Sequence, residues 1–115
     1  IRSVIVLEFI ITFVLLSKVS PASADQMNDL VEMDEVLERE LAQSLPEVKR
    51  IASYALLGAY DFMHIFEAPD AATAAKVALL ANRFGVSLTQ TLTAIPFSEF
   101  KAIAEDVTRI QITRS

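Results

Sequence analysis

The chain has 115 residues, enough for one domain around one core. Its 15 acidic residues against 10 Lys and Arg give a net charge of −5, which argues against a basic face for nucleic-acid phosphates. With no cysteine and a single histidine, His64, the sequence excludes disulfides, thiolate chemistry, Cys-ligated metal and a His-rich centre within one subunit.

Hydrophobic residues make up 53% of this small chain, so part of its surface is expected to be buried against another subunit. The first apolar run, Val4–Leu16, precedes Pro21-Ala22-Ser23-Ala24, a pattern that also suits a secretory signal with an A-x-A cleavage site. Glu8 lies inside the run, the run is short for a transmembrane helix, and Ile, Phe and Val dominate it. A strand over Phe9–Leu16, buried on both faces and retained in the mature protein, is therefore the preferred reading. It implies a cytoplasmic protein with no membrane contact; a secreted protein is the alternative if residues 1–24 are a signal peptide.

A helix is expected from Ala24-Asp25 to Ser44-Leu45, with Met27, Leu30, Val31, Leu37, Leu41 and Leu45 as its apolar stripe and Pro46 as its stop. Glu32, Asp34, Glu35, Glu38 and Glu40 lie mostly off that stripe and read as a solvated face in preference to a metal or partner site. Val48–Leu57 and Tyr60–Ala68 predict a hairpin with a two-residue turn at Gly58-Ala59, glycine supplying the positive φ. That register puts Tyr60, Phe62, His64 and Phe66 on one face and Asp61, Met63, Ile65 and Glu67 on the other.

Asp70 is a candidate N-cap for an alanine-rich second helix that Gly85 closes. Val86–Ile95 alternates Val86, Leu88 and Leu92 with Ser87, Thr89, Thr91 and Thr93, as a strand does. After Pro96 comes a short helix with Phe100, Ile103, Ala104 and Val107 on one side, then a frayed tail from Thr108. The order β-α-β-β-α-β-α, with right-handed crossovers, predicts an α+β ferredoxin-like fold: a four-stranded antiparallel sheet with two helices on one face. The bare face invites pairing of two copies as a dimeric α/β barrel. One domain is expected over 1–115, its core about 9–107, with 1–8 and 108–115 as flanking segments.

Leu57-Gly58-Ala59-Tyr60-Asp61-Phe62, followed by Glu67-Ala68-Pro69-Asp70, resembles the signature of the GYD domain family. Ile11–Pro21 resembles the first strand of that domain, and the resemblance runs over roughly residues 10–105. It implies the same dimeric α/β barrel and no established reaction.

His64 is the one side chain whose ordinary pKa lies near neutrality, and beside Tyr60 and Phe62 it is a candidate general base or haem ligand. The preferred reading is a hydrogen-bonded strand histidine at a dimer interface, since no second titratable partner stands at a fixed spacing. Tyr54, Tyr60 and His64 are the candidate ligand-binding residues; Gly58 and Asp61 are assigned to the turn. No P-loop, dinucleotide glycine motif, nucleophile elbow or zinc signature occurs, so no cofactor and no metal is expected. The function expected is a non-enzymatic, homo-oligomeric ligand-binding or regulatory module. The alternative is a cofactor-free or haem-using small enzyme of monooxygenase or isomerase type.

Overall fold

The computed structural model describes residues 10–19, 27–83 and 86–110. Its elements are β1 (Ile11–Val19), α1 (Met27–Ser44), β2 (Lys49–Ala55), β3 (Phe62–Ala68), α2 (Ala71–Asn82), β4 (Val86–Ala94) and α3 (Phe97–Arg109). The strands form one antiparallel sheet in the order β2-β3-β1-β4, the ferredoxin-like arrangement. The expected readings of residues 1–9, the first turn of the first helix at Ala24-Asp25, and Gly85 lie outside the described residues.

β1 and β3 occupy the centre, and both of their faces carry apolar residues, as strands covered on two sides do. On one face Phe13, Leu15, Phe66 and Ala68 meet Leu37, Leu41 and Leu45 from α1 and Ala74, Val77 and Ala81 from α2. Phe13 and Phe66 stack with ring centroids 5.6 Å apart. The spacing of Leu37, Leu41 and Leu45 aligns them along one side of the chain, and the backbone N–H of Leu45 donates to the Leu41 carbonyl at 2.9 Å. Pro46 prevents a further turn. Val31, expected in the same stripe, is exposed.

α2 starts where a cap is available. The Asp70 carboxylate accepts from the Thr73 backbone N–H and the Thr73 hydroxyl, each at 2.7 Å. Those two bonds, the hydroxyl's first, hold the Asp70 carboxyl below its usual range. Alanine at positions 74 and 81 lets the helix lie close to the strands.

The hairpin turn differs from expectation. The strands end at Ala55 and Phe62, and the closing bond runs from the Leu56 N–H to the Asp61 carbonyl at 2.8 Å. The loop is therefore wider than a two-residue turn. The pairing offset is nevertheless the expected one, with Ala55 opposite Phe62 and Ser53 opposite His64. Gly58 has φ +154°, a value that side-chain-bearing residues rarely adopt. Asp61 fastens the loop to β1: its N–H donates to the Ser17 carbonyl at 2.8 Å, and its carboxylate accepts from the Val19 N–H at 3.0 Å. The C-terminal helix also runs further than the tail expected from Thr108, reaching Arg109, and none of its residues is buried.

Two substitutions test this loop. A Cβ at Gly58 would meet nothing within 4 Å, so Gly58→Val should cost about 1 kcal/mol or more through backbone strain alone. Asp61→Ala removes the acceptor for the Val19 N–H and should cost about 1–2 kcal/mol. Urea unfolding of each variant checks both values.

Candidate functional site

The sheet register sorts side chains into two surfaces. In antiparallel pairing, residues directly opposite share a face. Ser53, His64, Leu15 and Thr91 therefore form one row across the helix-covered side, and Ala55, Phe62, Ser17 and Thr89 form the next. The opposite face carries the row Tyr54, Met63, Leu16 and Gln90 and the row Ala52, Ile65, Val14 and Leu92.

On the helix side a cavity of about 400 Å³ lies between α1 and the sheet. Leu15, Leu37 and Phe62 supply apolar walls, while His64, Ser53 and Asp34 supply polar ones. His64 thus points beneath the helices and not into a sheet-to-sheet interface, which corrects the placement expected from the sequence. Its ring stacks on Phe62, centroids 6.4 Å apart.

His64 belongs to a chain of hydrogen bonds. Nδ1 lies 2.8 Å from Ser53 Oγ and 3.3 Å from an Arg50 guanidinium nitrogen. The same nitrogen donates to Ser53 Oγ at 3.0 Å and to Asp34 at 3.1 Å, and Glu38 stands 3.5 Å from the other guanidinium nitrogen. A guanidinium only donates. The two hydrogens of that Arg50 nitrogen go to Ser53 and Asp34, so the Ser53 hydroxyl, which accepts from Arg50, is the group left to donate to Nδ1; in that assignment the neutral ring carries its proton on Nε2. Electrostatics agree: burial, and then the Arg50 charge, lower the His64 pKa, with Asp34 opposing.

A β-bulge builds this cluster. The register of β2 against β3 shifts between Arg50 and Ala52, which places Arg50 opposite Phe66 on the helix side. Without the shift, strict alternation would have sent the guanidinium to the other face. Asp34 and Glu38, one helical turn apart on α1, then reach Arg50 and tie the helix to the sheet. Sequence reasoning took these two carboxylates as solvated and passed over Ser53 and Arg50. The hairpin offset contained the signal for Ser53; nothing in the pattern disclosed the bulge.

As chemistry, the Ser53–His64 contact has the length of a nucleophile–base bond but not its setting. The base nitrogen faces a cation that weakens it, and among the described residues no carboxylate orients the other ring nitrogen. Among the described residues no group of three or more His, Asp or Glu could hold a metal ion.

The other candidate residues lie elsewhere. Tyr60 precedes β3, and its hydroxyl donates to the Gln90 side chain at 2.5 Å, on the open face. It therefore does not share a face with Phe62 and His64 as the ideal hairpin predicts. Tyr54 pairs with Met63 on that open face and is 53% exposed, and, at the edge of the sheet, it is also among the residues that line the cavity with His64. The three residues named from the sequence thus divide between two surfaces.

The centre of the open face is mainly apolar in β1, β3 and β4. Val14, Leu16, Met63, Ile65 and Leu92 form its centre, with Leu88 paired opposite Lys18 at one end. β4 is decisive: its threonines 89, 91 and 93 face the helix side, and its Leu88 and Leu92, 53% and 41% exposed, face away. A second apolar surface, without a partner among the described residues, is α3, whose Phe97, Phe100, Ile103 and Val107 are all exposed.

Comparison with known proteins places these features. The family model for the GYD domain matches residues 13–104. A Thermus thermophilus protein named glutamine synthetase and cystathionine beta-lyase binding protein is 38% identical over 96 residues, covering 79% of this chain and 95% of its own length. Among solved structures, an AsnC family transcriptional regulator from Agrobacterium tumefaciens superposes with a TM-score of 0.55 at 18% identity, over 83% of this chain and 60% of the regulator. MtbAldR gives a TM-score of 0.55 at 13% identity, over 75% of this chain and 52% of its own. The chain thus spans little more than half of either structure, and the likeness concerns the fold. Among the described residues no helix is long and apolar enough to cross a membrane.

The His64 environment gives a pH test. Because the folded-state pKa is below the ordinary 6.5, the unfolded chain takes up the proton first as pH falls. Stability from the neutral ring should be complete above about pH 6.5 and decline below it, toward the folded-state pKa. Urea unfolding at pH 7.5 and 5.5 should show this loss, and His64→Gln should remove it. Arg50→Met deletes the neighbouring cation and should raise the His64 pKa in an NMR titration.

Proposed function

Because this chain belongs to the GYD domain family, we propose that it is a non-enzymatic binding module that pairs with a second copy of itself and holds partner proteins. The observation that carries this reading is the alternation in β4. A half-buried strand sends its apolar side toward whatever covers it. Here Leu88 and Leu92 point away from the protein's own helices. The open face is therefore the side that a second chain covers, and a two-fold pairing of sheets presents like surfaces to each other.

A sheet face of four strands is about 19 Å wide at ~4.8 Å per strand, and a nine-residue strand is about 30 Å long. The patch is thus on the order of 500 Å², short of the ~800 Å² per partner in a stable interface. Tyr60, just outside β3 and hydrogen-bonded to Gln90, enlarges it. α3 serves the partner protein: an amphipathic helix with a free apolar stripe suits docking into a groove. The Thermus relative supports enzymes such as glutamine synthetase as the partner class.

Light scattering at tens of micromolar should give a dimer or a larger symmetric oligomer, and Leu92→Glu should shift it to monomer with far-UV circular dichroism unchanged. A monomeric parent protein would contradict the pairing. Association with glutamine synthetase from the same organism, followed by interferometry, should persist in Leu92→Glu and fall at least tenfold in Phe100→Glu.

A further inference from the structure

Among the polar groups that line the cavity beneath α1, the His64 ring is held in place by side-chain hydrogen bonds on one edge. Its Nδ1 accepts from the Ser53 hydroxyl and lies beside Arg50. The proton is therefore on Nε2, and among the described residues no acceptor is hydrogen-bonded to that nitrogen. No buried polar side-chain atom of the described residues is left unsatisfied, so an Nε2 without a partner is not sealed from solvent, and its ring lines the cavity. The void, at about 400 Å³, falls within the ~300–1,000 Å³ typical of small-molecule sites.

The walls define what fits. Leu15, Val31, Leu37 and Phe62 favour an apolar body. The charged groups disfavour an anion: Arg50 is held by Asp34 and Glu38, and Glu35 adds another carboxylate at the lining. A neutral imidazole N–H beside an apolar wall recognises an uncharged acceptor.

We propose that this cavity binds an uncharged, mainly apolar small molecule through a carbonyl oxygen that accepts a hydrogen bond from His64 Nε2. The bond adds one directional contact to a site otherwise selected by shape and burial, and is worth about tenfold in affinity. The His64 end of the site is separate from the self-pairing, because it lies on the opposite side of the sheet; only Tyr54, at the edge, belongs to both.

Prodan, a neutral naphthalene ketone whose emission reports polarity and hydrogen bonding, is a suitable probe. His64 is the only histidine, so the imidazole ¹⁵N spectrum of the full chain reports this ring alone. The free protein should show the Nε2–H tautomer at pH 7.5. Prodan should bind once per chain with saturable blue-shifted emission and move the Nε2 resonance. His64→Phe, which retains an apolar ring, should weaken binding about tenfold, and 2-naphthoate should bind at least tenfold more weakly than prodan. The reverse tautomer, an unmoved Nε2 resonance at saturation, or equal preference for the carboxylate would overturn the proposal. So would prodan binding lost in Leu92→Glu but retained in His64→Phe, since that places the probe on the open face. The ¹⁵N measurement on the unmodified protein keeps the test valid even where His64→Phe folds poorly.

Discussion

The pairing of β1 with β4 decides which side of the sheet carries leucine and which carries threonine. With Val14 opposite Leu92 and Leu15 opposite Thr91, the apolar edge of β4 extends the bare face of the central strands. A slip of one residue would exchange the two sets. Leu88 and Leu92 would then face the helix side, and the threonines would solvate the other face as in an ordinary single-sided sheet. The observed register instead gives the sheet two apolar sides while α1 and α2 cover one of them. Both the cavity and the bare apolar face follow from this division.

The two surfaces have different physics. The open face is broad and apolar, with polar groups such as Lys18 and Glu67 toward its ends, and its driving force is area removed from water. The cavity side is narrow and directional. One guanidinium joins two carboxylates of α1 to Ser53 and His64, so that helix and ring share one polar cluster. Neutral His64 is a consequence of burial and of Arg50 together, which suits a hydrogen-bond donor better than an acid–base group.

Much of the fold is legible in the sequence because its signals are periodic. Leu37, Leu41 and Leu45 mark a helix face, Val86 to Ala94 alternate, Asp70 caps a helix, and Pro46 and Pro96 separate elements. The motif around Gly58 identified the family and set the hairpin offset, so Ser53 falls opposite His64 as an ideal turn requires. Two local departures escaped. The chain leaves the ladder beyond Phe62, so Tyr60 turns to Gln90 and away from His64. The bulge near Ile51 reverses the side on which Arg50 emerges, and this made Asp34 and Glu38 structural partners of the sheet. Neither departure has a composition signal, since each depends on a backbone choice and not on residue type.

The division of labour between the two faces is tested most directly by isotope-filtered NMR on a mixed sample, with one population of chains methyl-labelled and the other unlabelled. Inter-chain contacts should join the methyl groups of Val14, Leu16, Ile65 and Leu92, while Leu15 and Leu37 show contacts only within their own chain. Inter-chain contacts at Leu15 and Leu37, or none at Leu16 and Leu92 in an oligomeric sample, would contradict the assignment of the open face to self-pairing.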